Sequence, residues 1–268
     1  MNVKAEFIKN IKLFLFDMDG TLYLGDQLFP FTKELLATIK ANGSRYLFMT
    51  NNSSKSVVDY VKKLEKLGIS ATKEDFITSS QATAYYLKKH HLGANLYVMG
   101  TNSLKEELHS EGFNITEELS QVDLIVMGFD TELTFKKLED VSKLLLTRDI
   151  PYIATNPDLV CPTEFGSVPD CGSVSIMLKN VSGKEPVFIG KPSPLMPTLA
   201  MDKWGVSPDE TAVIGDRIYT DIKSGINAGA HSILVLSGET TEEILNASED
   251  KPELVLPDCS YITKALKE

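Results

Sequence analysis

The stretch that decides the fold is Leu13-Phe14-Leu15-Phe16-Asp17-Met18-Asp19-Gly20-Thr21. Its first four residues form a short apolar run, whose length and composition predict a buried strand. The run ends at two carboxylates, Asp17 and Asp19, and the glycine that follows is typical of a turn. Burying carboxylates beside a strand end is costly unless a cation or a reaction requires them there. The pattern therefore predicts a strand that carries functional acids at its carboxyl end.

Three further apolar runs end in the same way, at acid, hydroxyl, amide or lysine side chains. They are 45–49, followed by Thr50-Asn51-Asn52; 187–189, followed by Gly190-Lys191-Pro192; and 212–214, followed by Gly215-Asp216-Arg217-Ile218-Tyr219-Thr220-Asp221. In open α/β sheets, ligands bind outside the carboxyl ends of the strands. We therefore expect the four strand ends to form one site.

The composition disfavours nucleic-acid binding and a membrane span. With 268 residues, 43% apolar and 24% charged, the chain is long enough for one large or two modest globular domains. Its net charge of −10 disfavours a nucleic-acid surface, although a local lysine and a metal could still bind an anionic substrate. No apolar run approaches the roughly 20 residues of a membrane span, and residues 1–10 lack a signal-peptide core. We expect a cytoplasmic protein without nucleic-acid or membrane partners.

Strands and helices alternate along the chain, which predicts an α/β fold with a mostly parallel sheet flanked by helices. Residues 81–184 carry none of the four strand ends but have an alternation of their own. We interpret them as an α/β domain inserted into a core of residues 1–80 and 185–268, with polar hinges near Ser79-Ser80 and Ser182-Gly183-Lys184. One continuous sheet is the alternative. The expected core strands lie near 12–16, 45–49, 187–189, 211–214, 232–236 and 253–256, and those of the insertion near 95–99, 123–127 and 152–155.

The acids have the chemistry of a Mg²⁺ site. Mg²⁺ prefers oxygen ligands and usually takes one or two protein carboxylates together with water and phosphate. Asp17 and Asp216 could supply the carboxylates, and the Asp19 backbone carbonyl could add another oxygen. Asp221, one helical turn beyond Asp216, could orient water molecules around the metal.

The same residues could transfer a phosphoryl group. A carboxylate such as Asp17 can attack phosphorus, and a second acid, Asp19, can protonate the leaving group and later deprotonate water. Lys191 would neutralise phosphate charge and keep Asp17 ionised. Thr50 and the amides near Asn51 and Asn52 would donate hydrogen bonds to phosphoryl oxygens.

This set of motifs resembles the haloacid dehalogenase (HAD) superfamily of phosphatases over nearly the whole chain, and in particular its NagD / p-nitrophenylphosphatase-like subfamily, subclass IIA. The resemblance implies a Rossmann-like core with an inserted α/β cap between the second and third motifs. It also implies that Asp17 is the nucleophile, that Asp19 is the general acid/base, and that Thr50 and Lys191 bind phosphate. Mg²⁺ would be held by Asp17, the Asp19 carbonyl and Asp216.

The acid at position 19 distinguishes functions within that superfamily. Its dehalogenases lack this acid, and its ion-pumping ATPases carry threonine there, so Asp19 indicates a phosphatase. The implied substrates are small phosphomonoesters such as sugar phosphates and nucleotides, with p-nitrophenyl phosphate as an artificial substrate. A phosphomutase and a catalytically silent binding or regulatory protein are the alternatives, and a homodimer formed through the cap is a further expectation.

Motifs of other functional classes do not fit this sequence. Asp17–Thr21 does not fit an EF-hand, Gly183-Lys184 and Gly190-Lys191 lack the remainder of a phosphate-binding loop, and the histidines lack zinc-protease spacing. The three cysteines, Cys161, Cys171 and Cys259, predict neither a disulfide framework nor a zinc site.

One segment of the insertion has two interpretations. The stretch 156–162, with Asn156, Asp158 and Cys161, is either a proline-rich turn at a strand end or a cap loop that selects substrates.

Overall fold

A computed structural model describes residues 3–163 and 165–268 of the chain. Its strands are β1 (Leu13–Phe16), β2 (Tyr23–Leu24), β3 (Gln27–Leu28), β4 (Arg45–Thr50), β5 (Phe76–Thr78), β6 (Asn95–Met99), β7 (Asn114–Ile115), β8 (Leu124–Met127), β9 (Tyr152–Ala154), β10 (Val160–Thr163), β11 (Gly166–Pro169), β12 (Val187–Phe188), β13 (Thr211–Gly215), β14 (His231–Val235) and β15 (Leu254–Leu256).

The helices include four 3₁₀ turns and one π-helical turn. The α-helices are α1 (Thr32–Ala41), α2 (Val57–Lys66), α3 (Ser79–His90), α4 (Asn102–Ser110), α5 (Phe135–Thr147), α6 (Cys171–Ser182), α7 (Leu195–Trp204), α8 (Lys223–Asn227), α9 (Glu242–Ala247) and α10 (Ser260–Lys267). The 3₁₀ segments are Val3–Asn10, Lys73–Asp75, Leu119–Gln121 and Pro208–Glu210, and the π-helical turn is Ile218–Ile222.

The chain divides into two compact units. We call residues 1–50, 61–77 and 191–268 the core unit, and residues 51–60 and 78–190 the inserted unit. The division of the sequence into domains at 80/81 and 184/185 stays a prediction.

The core unit is built on a six-stranded sheet with the order β15-β14-β13-β1-β4-β5. The pairings from β15 through to β4 are all parallel. All four residues of β1 are buried, as expected for a central strand of a parallel sheet that is covered on both faces. The mostly parallel α/β architecture predicted from the sequence is confirmed.

The inserted unit has a five-stranded sheet of its own, with the order β12-β9-β8-β6-β7. Its pairings are parallel. Buried side chains of α5 and α6 pack with those of β8 and β9 into one apolar cluster that includes Val141, Leu144, Ile125, Tyr152 and Leu178. A small antiparallel hairpin, β10–β11, extends from this unit between β9 and α6.

One predicted strand lies in the other sheet. The run 187–189 was expected in the core, but Val187 and Phe188 form β12, which pairs with Ile153 and Ala154 of β9 in the inserted unit. The prediction was wrong because a two-residue edge strand carries too little pattern to choose a sheet, and its partner is set by non-local contacts. Lys191 therefore follows a strand of the inserted unit rather than a core strand.

Other differences are local. The hairpins β2–β3 and β10–β11 were missed, because strands of two to four residues give almost no periodicity. Asp221, expected one helical turn beyond Asp216, lies in the π-helical turn Ile218–Ile222, which continues as α8. Within 3–163 and 165–268, no helix combines the length and the apolar character needed to cross a bilayer.

Candidate active site

Asp17 leaves the carboxyl end of β1 at the centre of the core sheet. Its backbone N–H donates to the carbonyl oxygen of Ile214 at 2.8 Å, which continues the pairing of β1 with β13 by one residue. The Asp17 side chain keeps 16% of its surface exposed, so it is largely buried but still reachable. Asp17 is thus fixed by the sheet and open on one side.

Lys191 is buried and makes three polar contacts within the core unit. Its Nζ lies 2.6 Å from Oδ1 of Asp17, 2.5 Å from Oδ1 of Asp221 and 3.3 Å from the carbonyl oxygen of Met49. Burial alone would lower the pKa of Lys191, but Asp17 and Asp221 raise it above its usual value. The ammonium group is therefore a fixed positive charge.

Asp216 follows the end of β13 and is almost fully buried. Its Oδ2 accepts a hydrogen bond from the backbone N–H of Glu239 at 2.7 Å. Its Oδ1 has no hydrogen-bond partner among the described residues. Two glycines make room for this carboxylate: a Cβ on Gly20 would lie 2.5 Å from Oδ2, and a Cβ on Gly238 would lie 2.0 Å from it. The carboxylate is therefore held on one oxygen, while the other lacks a protein donor.

Asp221 lies in the π-helical turn and is fully buried. Its Oδ2 accepts from the backbone N–H of Arg217 at 3.1 Å, and its Oδ1 contacts Lys191. A Cβ on Gly215 would lie only 2.2 Å from the Asp221 carboxyl carbon, so this close approach requires glycine at position 215. The extra residue in a π-helical turn changes where its side chains point, and such turns are frequent at functional sites.

The pKa of two of these acids, Asp17 and Asp216, is raised. Burial raises the pKa of Asp17 to about 8, and the negative charges of Asp221 and Asp216 act in the same direction against Lys191. Burial, followed by the charge of Asp221, raises the pKa of Asp216 to about 6. These shifts describe the site without a metal, and an additional positive charge would lower both values.

The acids form a group that fits a divalent cation. One carboxylate oxygen each from Asp17, Asp216 and Asp221 lie within 4.8 Å of one another. The unpartnered Oδ1 of Asp216 is the observation that tests the fit, because a buried oxygen without a donor is costly unless something positive contacts it. An all-oxygen donor set suits a hard cation such as Mg²⁺. The residues present therefore fit a divalent metal.

Asp19 differs from these acids in its exposure. It is solvent-exposed, and its Oδ1 accepts only a long hydrogen bond, 3.4 Å, from the backbone N–H of Gly25. The chain reverses at Gly20, which adopts a φ of +84° that favours glycine. The side chain is thus accessible to water.

Thr50 is the last residue of β4 and is buried in the core unit. Asn51 and Asn52 belong to the inserted unit. The Asn51 side chain donates to Oδ2 of Asp158 at 2.7 Å. Oδ1 of Asn52 accepts from the N–H and hydroxyl of Ser54, at 2.9 and 2.7 Å, which makes a local turn. The side-chain amides of both asparagines are thus engaged in the inserted unit, and their phosphate contacts stay a prediction.

Asn156 and Asp158 lie in a buried hydrogen-bond network. Nδ2 of Asn156 donates to Asp158 at 2.9 Å and to Asp170 at 3.2 Å. Both side chains are at most 4% exposed. Cys161 lies in β10 and is only partly exposed. For Asn156 and Asp158, these contacts favour a structural turn over a substrate-selecting loop.

The segment after β14 was not predicted to belong to the site. Ser237, Gly238 and Glu239 all lie against Gly20 or Asp216. A usable signal was present, since the run 232–236 also ends at polar residues, as the other four runs do. Arg217, between Asp216 and the π-helical turn, was likewise not assigned a role.

Comparisons with known proteins identify the family of the chain. Residues 14–114 match the model of a family described as haloacid dehalogenase-like hydrolase, and residues 188–261 match one described as HAD-hydrolase-like. The chain is 33% identical to an acid sugar phosphatase of Staphylococcus epidermidis, over 97% of this chain and all of the relative. It is 36% identical to the 5′-nucleotidase YutF of Bacillus subtilis, over 91% of this chain and 94% of the relative.

A solved structure of a 4-nitrophenylphosphatase from Thermotoga maritima has the same fold. It is 41% identical, superposes with a TM-score of 0.93, and the match covers 97% of this chain and 99% of that one. The chain belongs to the haloacid dehalogenase-like hydrolases. Within them it falls in the NagD / p-nitrophenylphosphatase-like group, as predicted. It is a phosphatase, a hydrolase of phosphoric monoesters, and phosphatases of this family generally use a divalent metal.

Proposed function

We propose that this chain is a Mg²⁺-dependent phosphatase that hydrolyses small phosphomonoesters through an aspartyl-phosphate on Asp17. The single observation that carries the proposal is the cluster at the ends of β1 and β13. There a reachable carboxylate is held by a buried ammonium group, beside a buried carboxylate oxygen that has no donor. This arrangement supplies a nucleophile, a phosphate-binding charge and a cation site together.

In the first half-reaction, a carboxylate oxygen of Asp17 forms a bond to phosphorus while the bond to the ester oxygen breaks. Asp19 gives its proton to that departing oxygen. In the second half-reaction, Asp19 removes a proton from water as the water oxygen attacks the phosphorus, and the Asp17 carboxylate leaves. The exposure of Asp19 suits it to exchanging protons with water.

Lys191 and Thr50 would bind the transferred phosphoryl group. The ammonium of Lys191 is already within 2.6 Å of the nucleophile, so a phosphoryl group at Asp17 would lie beside a fixed positive charge. The Thr50 side chain, at the end of the neighbouring strand β4, is the second expected donor. We also expect Asn51 and Asn52 to contribute through their backbone amides rather than their engaged side chains.

Asp17, Asp216 and the Asp19 backbone carbonyl would hold Mg²⁺, with Asp221 orienting the water around it. When bound, the metal ion supplies positive charge that offsets the charge of the phosphoryl oxygens. Asp221 lies near enough to Asp17 and Asp216 to be a direct ligand by distance, but both of its oxygens already contact Lys191 or the Arg217 N–H. We therefore propose that Asp221 orients the water around the metal rather than binding the metal directly.

The expected substrates are sugar phosphates and nucleotides, with p-nitrophenyl phosphate as the convenient assay substrate. The support comes from the relatives, which are named for a sugar phosphate, a 5′-nucleotide and 4-nitrophenyl phosphate. Three different leaving groups among close relatives indicate that the core chemistry tolerates a range of small esters.

The deciding experiment traps the intermediate. Metal-free protein is mixed with ³²P-labelled substrate and either Mg²⁺ or chelator, quenched in acid, and the protein-bound label is measured. We expect label that is lost on treatment with hydroxylamine, as an acyl phosphate is, and that requires Mg²⁺. Asp17→Asn should acquire none. Turnover without any trapped label, or label that forms in chelator, would contradict the proposal.

The same assay separates the alternatives. A silent binding protein would bind phosphate esters but release no phosphate. A phosphomutase would return the label to a second hydroxyl of the sugar instead of transferring it to water. Asp19→Asn should slow hydrolysis of alkyl phosphates by about 10²–10⁴-fold, and of p-nitrophenyl phosphate by less, because nitrophenolate leaves without a proton. Equal losses on both would count against the assignment of Asp19.

We also propose that the chain forms a homodimer through the inserted unit. The support is an apolar surface on α6, where Ile176, Met177 and Val181 are 49, 49 and 54% exposed. Met177 and Val181 are four residues apart and share one face of the helix, and Ile176 is the residue adjacent to Met177. Light scattering coupled to gel filtration should give twice the chain mass for the wild type and a monomer for Ile176→Glu; a wild-type monomer would contradict the proposal.

A further inference from the structure

The segment that follows β14 lies against one side of the acidic site. It consists of Ser237-Gly238-Glu239-Thr240, which we call the 237–240 segment. The Ser237 hydroxyl donates to the carbonyl oxygen of Gly20 at 2.7 Å, directly after Asp19. The segment also donates two hydrogen bonds to Asp216, from the Glu239 N–H to Oδ2 at 2.7 Å and from the Thr240 N–H to the backbone oxygen at 3.2 Å.

Because Gly238 has no side chain, the backbone of this segment can lie directly against the Asp216 carboxylate. A Cβ at position 238 would lie 2.0 Å from Oδ2 of Asp216, far inside contact distance. The position of the segment therefore decides the orientation of the Asp216 carboxylate. With Oδ2 bonded to the Glu239 N–H, Oδ1 is the oxygen left without a donor among the residues described.

A side-chain ion pair joins Arg217 to the 237–240 segment. Nε of Arg217 lies 2.8 Å from Oε2 of Glu239. Arg217 is the residue after Asp216, and Glu239 is the residue whose N–H holds Asp216, so the pair joins the two chain segments that define the carboxylate. The Arg217 side chain is only 19% exposed, which sets this pair apart from freely solvated surface pairs of little energetic value.

We propose that Arg217 and Glu239 are positioning residues for the metal site. Their ion pair holds the 237–240 segment against Asp216, so that Oδ2 stays bonded to the Glu239 N–H and Oδ1 stays available to a divalent cation. The inference rests on the proposed metal dependence. It assigns to this pair control of metal affinity rather than of the chemical step, because neither side chain is needed for bond making or breaking.

The primary test is Mg²⁺ binding by calorimetry to metal-free wild type and Glu239→Gln. The amide keeps the size of the side chain and removes the charge that pairs with Arg217. Loss of a group that orients a ligand typically weakens metal binding about 10–100-fold, and the partial exposure of Glu239 places our expectation near tenfold. At saturating Mg²⁺, kcat for p-nitrophenyl phosphate should stay within about twofold of wild type.

A matched control comes from another ion pair of the core unit. Lys223 pairs with Asp250, with side chains 37 and 30% exposed, and neither residue belongs to the acidic cluster. Asp250→Asn makes the same acid-to-amide change and should leave the dissociation constant for Mg²⁺ unchanged. The melting temperature of each metal-free variant reports whether the fold is intact.

Two further variants address the pair and the segment separately. Arg217→Gln should weaken Mg²⁺ binding as Glu239→Gln does, and the double variant should be no worse than either, since both changes break one interaction. Ser237→Ala removes the bond to Gly20 from the same segment and should weaken Mg²⁺ binding by a smaller factor. Additive losses in the double variant would show that the two residues act independently and would overturn the proposal.

The outcomes distinguish the two levels of inference. If wild type binds no Mg²⁺, the proposed metal dependence fails and this inference fails with it. If wild type binds Mg²⁺ and Glu239→Gln binds it equally well, only the positioning role is overturned. A fall in kcat at saturating metal with unchanged affinity would instead assign the pair to the chemical step.

Discussion

At the carboxyl ends of the six-stranded sheet, two carboxylates contact one ammonium group, and a third, Asp216, has a buried oxygen without a donor among the described residues. After β9 in the five-stranded sheet, the buried Asp158 instead accepts hydrogen bonds from the side-chain amides of Asn51 and Asn156. Both sheets are parallel and both place buried acids beyond a strand end. They differ in what compensates the negative charge.

That difference separates a site prepared for chemistry from a structural network. Neutral amides satisfy Asp158 by hydrogen bonds that are complete in the folded protein, so nothing further is needed. In the core unit, burial and then repulsion from neighbouring carboxylates raise the pKa of both Asp17 and Asp216, against the positive charges of Lys191 and Arg217. The repulsion between these carboxylates decreases when a cation binds. Acids with a perturbed pKa of this kind are typical of functional sites.

The largest expected effect comes from removing the nucleophile. Asp17→Asn should abolish turnover of p-nitrophenyl phosphate by several orders of magnitude, because an amide of the same shape cannot attack phosphorus. The fold should survive, since the change removes one charge from an acidic cluster. Steady-state kinetics and circular dichroism check both parts. Activity within tenfold of wild type, in folded protein, would show that Asp17 is not the nucleophile.

The next effect distinguishes the two acids that flank the π-helical turn. Asp216→Ala should weaken Mg²⁺ binding by more than Asp221→Ala does, because it removes a proposed ligand with an unpartnered oxygen, whereas Asp221 is already held by Lys191 and the Arg217 N–H. Calorimetric titration of both variants measures the ranking. The reverse order would exchange the roles of the two residues.

Much of this site could be predicted from sequence because its signals are local. An apolar run that ends at acids indicates a strand end, and the positions of Asp17 and Asp216 follow from the parallel sheet alone. The location of β12 could not be predicted in this way, because the strand is short and its pairing with β9 is decided far along the chain. The network around Asp158 has the same limitation, since Asn51 and Asp170 reach Asp158 and Asn156 from distant positions in the sequence.

A smaller effect tests the structural side of the comparison. Asp158→Ala removes the acceptor for two buried amide groups, and should lower the free energy of unfolding by about 2–4 kcal/mol. Urea denaturation of metal-free protein measures this change. The matched control is Asp149→Ala in the same unit, where the acid is fully exposed and should contribute less than about 0.5 kcal/mol.

The kinetics of Asp158→Ala test whether this residue also selects substrates. If Asp158 only supports the network, folded Asp158→Ala should lose activity to a similar extent on sugar phosphates, nucleotides and p-nitrophenyl phosphate. A changed ranking of substrates, with stability unaffected, would restore the interpretation of 156–162 as a substrate-selecting loop.

The last effect is a pH dependence of stability to which the core cluster contributes. Burial raises the pKa of Asp17 from its usual 3.8 to about 8, so between these values the folded protein holds a proton that the unfolded chain releases. Stability from this group is therefore fully present below pH 4 and is lost as the pH rises towards 8. Asp17→Asn mimics the protonated acid and removes the contribution of Asp17 to this dependence. Metal-free wild type and Asp17→Asn should therefore melt at similar temperatures at pH 4 and below, and the variant should melt higher at pH 8. Mg²⁺ should reduce the difference, because a cation favours the ionised carboxylate and makes wild type more stable at high pH. Differential scanning calorimetry at several pH values measures both trends, and a variant that melts lower than metal-free wild type at pH 8 would show that the Asp17–Lys191 attraction outweighs the repulsion within the cluster.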